Sequence, residues 1–88
     1  MIDVFSLPNC GQCTATKLAL KSKGLVEGVD WVDRDLSAAE NDAVRTWLVE
    51  DLGYQQAPIV VVNDDHHWSG FRPDKIATLT PSERTSHD

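Results

Sequence analysis

Positive charge is scarce in this chain. Eight Lys and Arg stand against 14 Asp and Glu, for a formal net charge of −6, so no basic surface is available to neutralise the phosphates of a nucleic acid or an anionic membrane. Long apolar runs are missing as well. No stretch approaches the ~20 residues needed to span a bilayer, and the opening "MIDVFSLPNC" has neither the basic flank nor the apolar run of a secretory signal. The sequence therefore reads as a cytoplasmic protein that engages neither nucleic acid nor membrane. Cysteine is scarce too, yet both copies fall within one short stretch, "SLPNCGQCTATKLAL", as Cys10 and Cys13.

With 88 residues, 41% of them hydrophobic, the chain suffices for one domain with a modest core. That domain is expected over residues 1–80. Residues 81–88, "PSERTSHD", carry no apolar side chain and are expected to form a flexible C-terminal tail. No internal repeat or low-complexity segment is present.

The order of elements reads βαβαββα. "IDVFS" is a β-branched and aromatic run stopped by Pro8, and it predicts the first strand. Asn9 is the expected N-cap of the helix that follows, with Cys10 in its first turn. Ala15, Leu18, Ala19 and the stem of Lys23 form its apolar face, and Gly24 is its left-handed stop. Val29 to Arg34 predicts the second strand. Ser37 and Glu40 then match an S-x-x-E capping box opening a helix whose buried face is Ala43, Val44, Trp47, Leu48 and Leu52, with Gly53 as its stop. "IVVV" at Ile59 to Val62 suits a strand covered on both faces. Asn63 to Asp65 turn the chain into a short antiparallel strand over "HHW". Gly70 breaks it, and Pro73 starts a last helix through Ile76, Ala77 and Leu79. Trp31 and Trp47 are best explained by burial, His66 and His67 as hairpin residues.

Three chemistries compete for the C-x-x-C. A structural disulfide would close a loop too short to restrict the unfolded chain much, in a compartment that keeps thiols reduced. A zinc site needs four ligands, and the remaining candidates are His66, His67 and His87. Adjacent histidines on a strand point to opposite faces, so half of a tetrahedral site is missing. The third chemistry is a redox dithiol. A sulfur at the start of a helix meets unpaired N–H groups and the positive end of the helix dipole, which favour thiolate. Cys10 is then the nucleophile. Cys13, one turn inward, is the resolving thiol that displaces a partner from a mixed disulfide. A bare C-x-x-C leaves redox and metal binding evenly matched; its place between a strand and a helix of a βαβ unit favours redox. No carboxylate can be assigned from sequence as proton acceptor for Cys13.

Over nearly its whole length the chain resembles the NrdH redoxins, glutaredoxin-sized members of the thioredoxin superfamily. The likeness rests on "CGQC" at Cys10 to Cys13, close to the family's C-V-Q-C or C-M-Q-C, on "GYQQAPIVVV" at Gly53 to Val62, and on "HWSGFRPDKI" at His67 to Ile76. It implies an α/β thioredoxin fold, a four-stranded mixed sheet flanked by three helices. It further implies a cis Pro58 beside the dithiol, with the Ala57 backbone pairing with an extended substrate peptide. Gly11 and Gln12 between the cysteines, and Trp68, Ser69, Gly70, Phe71 and Arg72, are implied as partner-binding residues. Spacing alone would place Trp68 and Phe71 in the core; the resemblance instead makes the segment a partly exposed recognition patch, with Arg72 at the surface.

The activity implied is thiol-disulfide oxidoreduction by a monomeric electron carrier with no bound cofactor or metal. Electrons would come from NADPH through thioredoxin reductase and pass to the large subunit of class Ib ribonucleotide reductase. A glutathione-dependent glutaredoxin is the alternative, although Leu7 stands where a Lys is usual and the C-P-Y-C core and later Gly-Gly-Asp are absent. A non-catalytic thioredoxin-like adaptor or metal-binding module is a third reading.

Overall fold

A computed structural model of the protein describes residues 1–80; the expected tail at 81–88 lies outside the described residues. Four strands, β1 (Ile2–Ser6), β2 (Trp31–Asp35), β3 (Ile59–Asn63) and β4 (His66–Ser69), form one mixed sheet in the order β2-β1-β3-β4. β1 runs parallel to β2 and antiparallel to β3, and β3 is antiparallel to β4. The α1 helix (Gly11–Ser22) joins the parallel pair, α2 (Asp42–Thr46) precedes β3, and α3 (Pro73–Ile76) follows β4. This is the expected α/β architecture.

The period-two alternation of strands splits the apolar residues between two faces. Ile2, Val4, Trp31, Val60 and Trp68 pack with Leu20 from α1 and with Ile76 and Leu79. Phe5, Ile59 and Val61 pack on the other side with Leu36 and Leu48, joined by Val44, Trp47 and Leu52. The "IVVV" strand is covered on both faces, as its unbroken apolar run predicts. Gly24 and Gly53 end their helical segments at φ of 92° and 80°.

Three local readings are corrected. Asn9 is not the N-cap: it takes a left-handed turn at φ 58°, which a short polar side chain tolerates, and the cap is Cys10 itself. Leu18 is exposed, because α1 buries Cys13, Thr16 and Leu20 instead; at about 100° per residue Leu18 lies about 200° from Thr16, on the far side. The capping box does not form. The Ser37 hydroxyl and its backbone N–H both donate to Asp35 Oδ1, at 2.7 and 2.9 Å, and this holds the Asp35 carboxyl below its ordinary range. The chain then enters through a 3-10 turn, Ala39–Asn41, passes through α2, and leaves by a π turn, Trp47–Asp51. Ala43, expected on the buried face, is exposed.

Candidate active site

The sheet topology gathers three loops at one end. β3 runs antiparallel to β1, pairing Phe5 with Ile59, and β4 antiparallel to β3, pairing Ile59 with Ser69. The chain leaving β1, the chain entering β3 and the chain leaving β4 therefore meet. They carry Leu7 to Cys10, Ala57-Pro58 and Gly70-Phe71.

Cys10 and Cys13 are joined as a disulfide, with Cα atoms 5.2 Å apart. Cys10 Sγ accepts the Cys13 N–H at 3.1 Å, so the sulfur itself caps the helix and satisfies one of its open donors. That N–H and the helix dipole stabilise a thiolate once the pair is reduced. The two sulfurs differ in access: Cys13 is buried at 1% exposure, whereas Cys10 is half-buried. A large partner can reach only Cys10.

The Ala57-Pro58 peptide is cis, as the resemblance implies, and the Ala57 carbonyl oxygen lies 3.9 Å from Cys10 Sγ. Opposite it, three consecutive residues are stitched to their neighbours. The Ser69 hydroxyl donates to the Gln56 carbonyl at 2.6 Å, Gly70 N–H to the Pro58 carbonyl at 2.8 Å, and Phe71 N–H to Gln12 Oε1 at 3.0 Å. The structure thus assembles Cys10, Gln12, Ala57, Pro58, Ser69, Gly70 and Phe71 in one place. Gly11, the first residue of α1, is exposed.

Trp68 and Arg72 stand apart. Trp68 is buried at 3% exposure, which corrects its expected place in an exposed patch. Cross-strand partners share a face, and Trp68 pairs with Val60, so its ring points into the core beside Leu20 and Ile76. Phe71, beyond the left-handed turn at Gly70, is the exposed aromatic of the segment. Arg72 is at the surface, where its guanidinium grips Asp74 through two hydrogen bonds of 3.1 and 2.9 Å and holds that carboxyl below its ordinary range.

Sequence reasoning missed a groove of about 320 Å³ beside Ala57, in which the apolar Leu7, Leu36, Val49, Ala57 and Ile59 are joined by Tyr54, Gln55 and Gln56. No local signal joins Leu36 to Val49; only the packing of α2 and the π turn after it on the sheet does. It also missed Tyr54 Oη lying 2.7 Å from His67 Nδ1, and the pairing of Asp33 with both Ser6 (2.6 Å) and Lys17 (2.9 Å).

The glutaredoxin family model matches residues 2–67. Glutaredoxin-like protein NrdH of Salmonella typhimurium is 36% identical over 98% of this chain and 96% of its own length, and that of Escherichia coli K12 is 40% identical over 92% and 90%. Among solved structures, the glutaredoxin-like NrdH-redoxin of E. coli superimposes with a TM-score of 0.72 at 32% identity, covering 92% of this chain and 96% of that one.

Proposed function

The chain belongs to the glutaredoxin family, in its NrdH-redoxin branch, and is a thiol-disulfide oxidoreductase; from that premise we propose that it carries electrons from thioredoxin reductase to a protein disulfide. Reduced Cys10 attacks one sulfur of the partner's disulfide, forming a mixed disulfide and releasing the other sulfur as a thiolate. Cys13 then loses its proton and attacks Cys10 Sγ. The partner leaves with two thiols, and the carrier keeps the Cys10–Cys13 disulfide. NADPH restores the dithiol through the flavoprotein reductase. The downstream partner in this reading is the large subunit of class Ib ribonucleotide reductase, met in the cytoplasm by a monomeric carrier. No described helix is long and apolar enough to cross a membrane.

The observation that carries this reading is the chemistry of the surface beside Cys10. Glutathione presents two carboxylates, which need cationic or well-placed N–H donors. Leu7 and the apolar groove offer no charge there, while Lys17 and Arg72 are each already paired with a carboxylate. An apolar face with an exposed Phe71 suits a protein surface better than a small ligand held by two carboxylates. The E. coli NrdH-redoxin, described as having a thioredoxin-like activity profile, supports the same choice.

NADPH consumption with a protein disulfide as acceptor tests it. Turnover is expected with thioredoxin reductase and only weakly with glutathione plus glutathione reductase. Efficient turnover with glutathione, and none with thioredoxin reductases from several bacteria, would make the protein a glutathione-dependent glutaredoxin.

A further inference from the structure

We infer that Gln12 is a positioning residue: its side-chain oxygen pins the Gly70-Phe71 loop to the dithiol helix and so sets the surface a protein partner meets beside Cys10. The inference rests on the reading of the protein as a donor to protein disulfides, and goes beyond it by assigning a role to a residue between the cysteines that takes no part in the sulfur chemistry.

Phe71 and Gln12 are 59 residues apart in sequence and on different elements, yet Phe71 N–H donates to Gln12 Oε1 at 3.0 Å. On the other side, Gly70 N–H donates to the Pro58 carbonyl at 2.8 Å. The loop is therefore fastened at two successive amides, one to the cis-proline strand and one to the helix carrying both sulfurs. Gly70 is matched to this arrangement. Its φ of +86° disfavours any side chain, and a Cβ there would lie 3.3 Å from Gln12 Oε1, tighter than ordinary contact. The fastening holds Phe71, 37% exposed, against the helix start that Cys10 caps. With Oε1 engaged inside the molecule, a partner meets the loop that Gln12 holds rather than that oxygen. A small disulfide needs only the sulfur, whereas a protein must also fit the loop. Loss of the latch should therefore separate the two kinds of substrate.

Gln12→Met keeps the side chain's length and removes the acceptor; Gln12→Glu keeps an acceptor. Gln12 is exposed, so folding is not at stake, and thermal unfolding of each variant confirms it. In Gln12→Met, the Phe71 amide should exchange with solvent faster than in the parent. The half-saturating carrier concentration for thioredoxin reductase should rise about threefold to tenfold with kcat unchanged, the range expected from losing one hydrogen bond. The rate at which the pre-reduced protein reduces 2-hydroxyethyl disulfide should change by less than the rate with the protein partner. Gln12→Glu should restore the protection of the Phe71 amide. Unchanged Phe71 exchange in Gln12→Met, or an equal loss with small disulfide and protein partner, would overturn the inference. If the parent is not turned over by thioredoxin reductase, the functional reading fails; insulin, reduced by the dithiol in a single turnover, then replaces the reductase as the protein partner and decides the latch by the same comparison.

Discussion

Tyr54 is the only tyrosine in the chain, and it reports on the corner of the molecule where it meets His67. Its hydroxyl meets His67 Nδ1, and the His67 ring stands edge-on to both Tyr54 and Trp47, at 5.7 and 6.1 Å between centroids. Burial raises the Tyr54 pKa above its ordinary value of about 10. The folded state thus holds this proton more tightly than the unfolded one. The resulting stability is fully present below about pH 10 and is lost as pH rises through the folded-state pKa. Tyrosinate absorbance, followed in the folded protein and again in denaturant, should show a higher midpoint in the folded protein. A folded midpoint equal to or below the denatured one would contradict the described environment. By contrast, the dithiol was legible at once, because Cys10 and Cys13 are neighbours in sequence and their chemistry needs only the helix start beneath them. Tyr54 and His67 were not, because they meet only after α2 packs on the sheet.

At the scale of elements, strands and stops were read where the physics is local. β1, the "IVVV" strand and the helix ends at Gly24 and Gly53 follow from alternation, β-branching and left-handed glycines. The errors arose where two local signals competed. Ser37 satisfies the S-x-x-E pattern, but the Asp35 carboxylate two residues earlier takes both its hydroxyl and its N–H. In α1 the short apolar side chains allow more than one phase, and the one realised buries Thr16 at 0% exposure while leaving Leu18 at 57%. Trp68 was drawn to the surface by resemblance, although strand alternation turns it inward. These corrections have energetic consequences. Leu48→Ala, at a fully buried position, should cost roughly 2–5 kcal/mol in urea unfolding. Leu18→Ala and Glu40→Ala should each stay within about 0.5 kcal/mol, since one truncates an exposed side chain and the other a cap that does not form. A loss of about 1 kcal/mol or more for Glu40→Ala would mean that the capping box exists in solution.

At the scale of the whole molecule, topology turns three ordinary loops into a site. Only a sheet with β3 antiparallel to both β1 and β4 brings the ends of β1 and β4 to the start of β3. That juxtaposition sets the accessible Cys10 beside Ala57, Phe71 and the apolar groove, with Cys13 sealed beneath. The account's central claim is that Cys10 attacks a protein disulfide and Cys13 completes the exchange. Intact mass analysis tests it most directly, with the pre-reduced Cys10→Ser and Cys13→Ser proteins each mixed with the oxidised large subunit of a class Ib ribonucleotide reductase. The Cys13→Ser protein should accumulate as a one-to-one covalent adduct that dithiothreitol releases, and the Cys10→Ser protein should form none. An adduct with Cys10→Ser and none with Cys13→Ser would contradict the account.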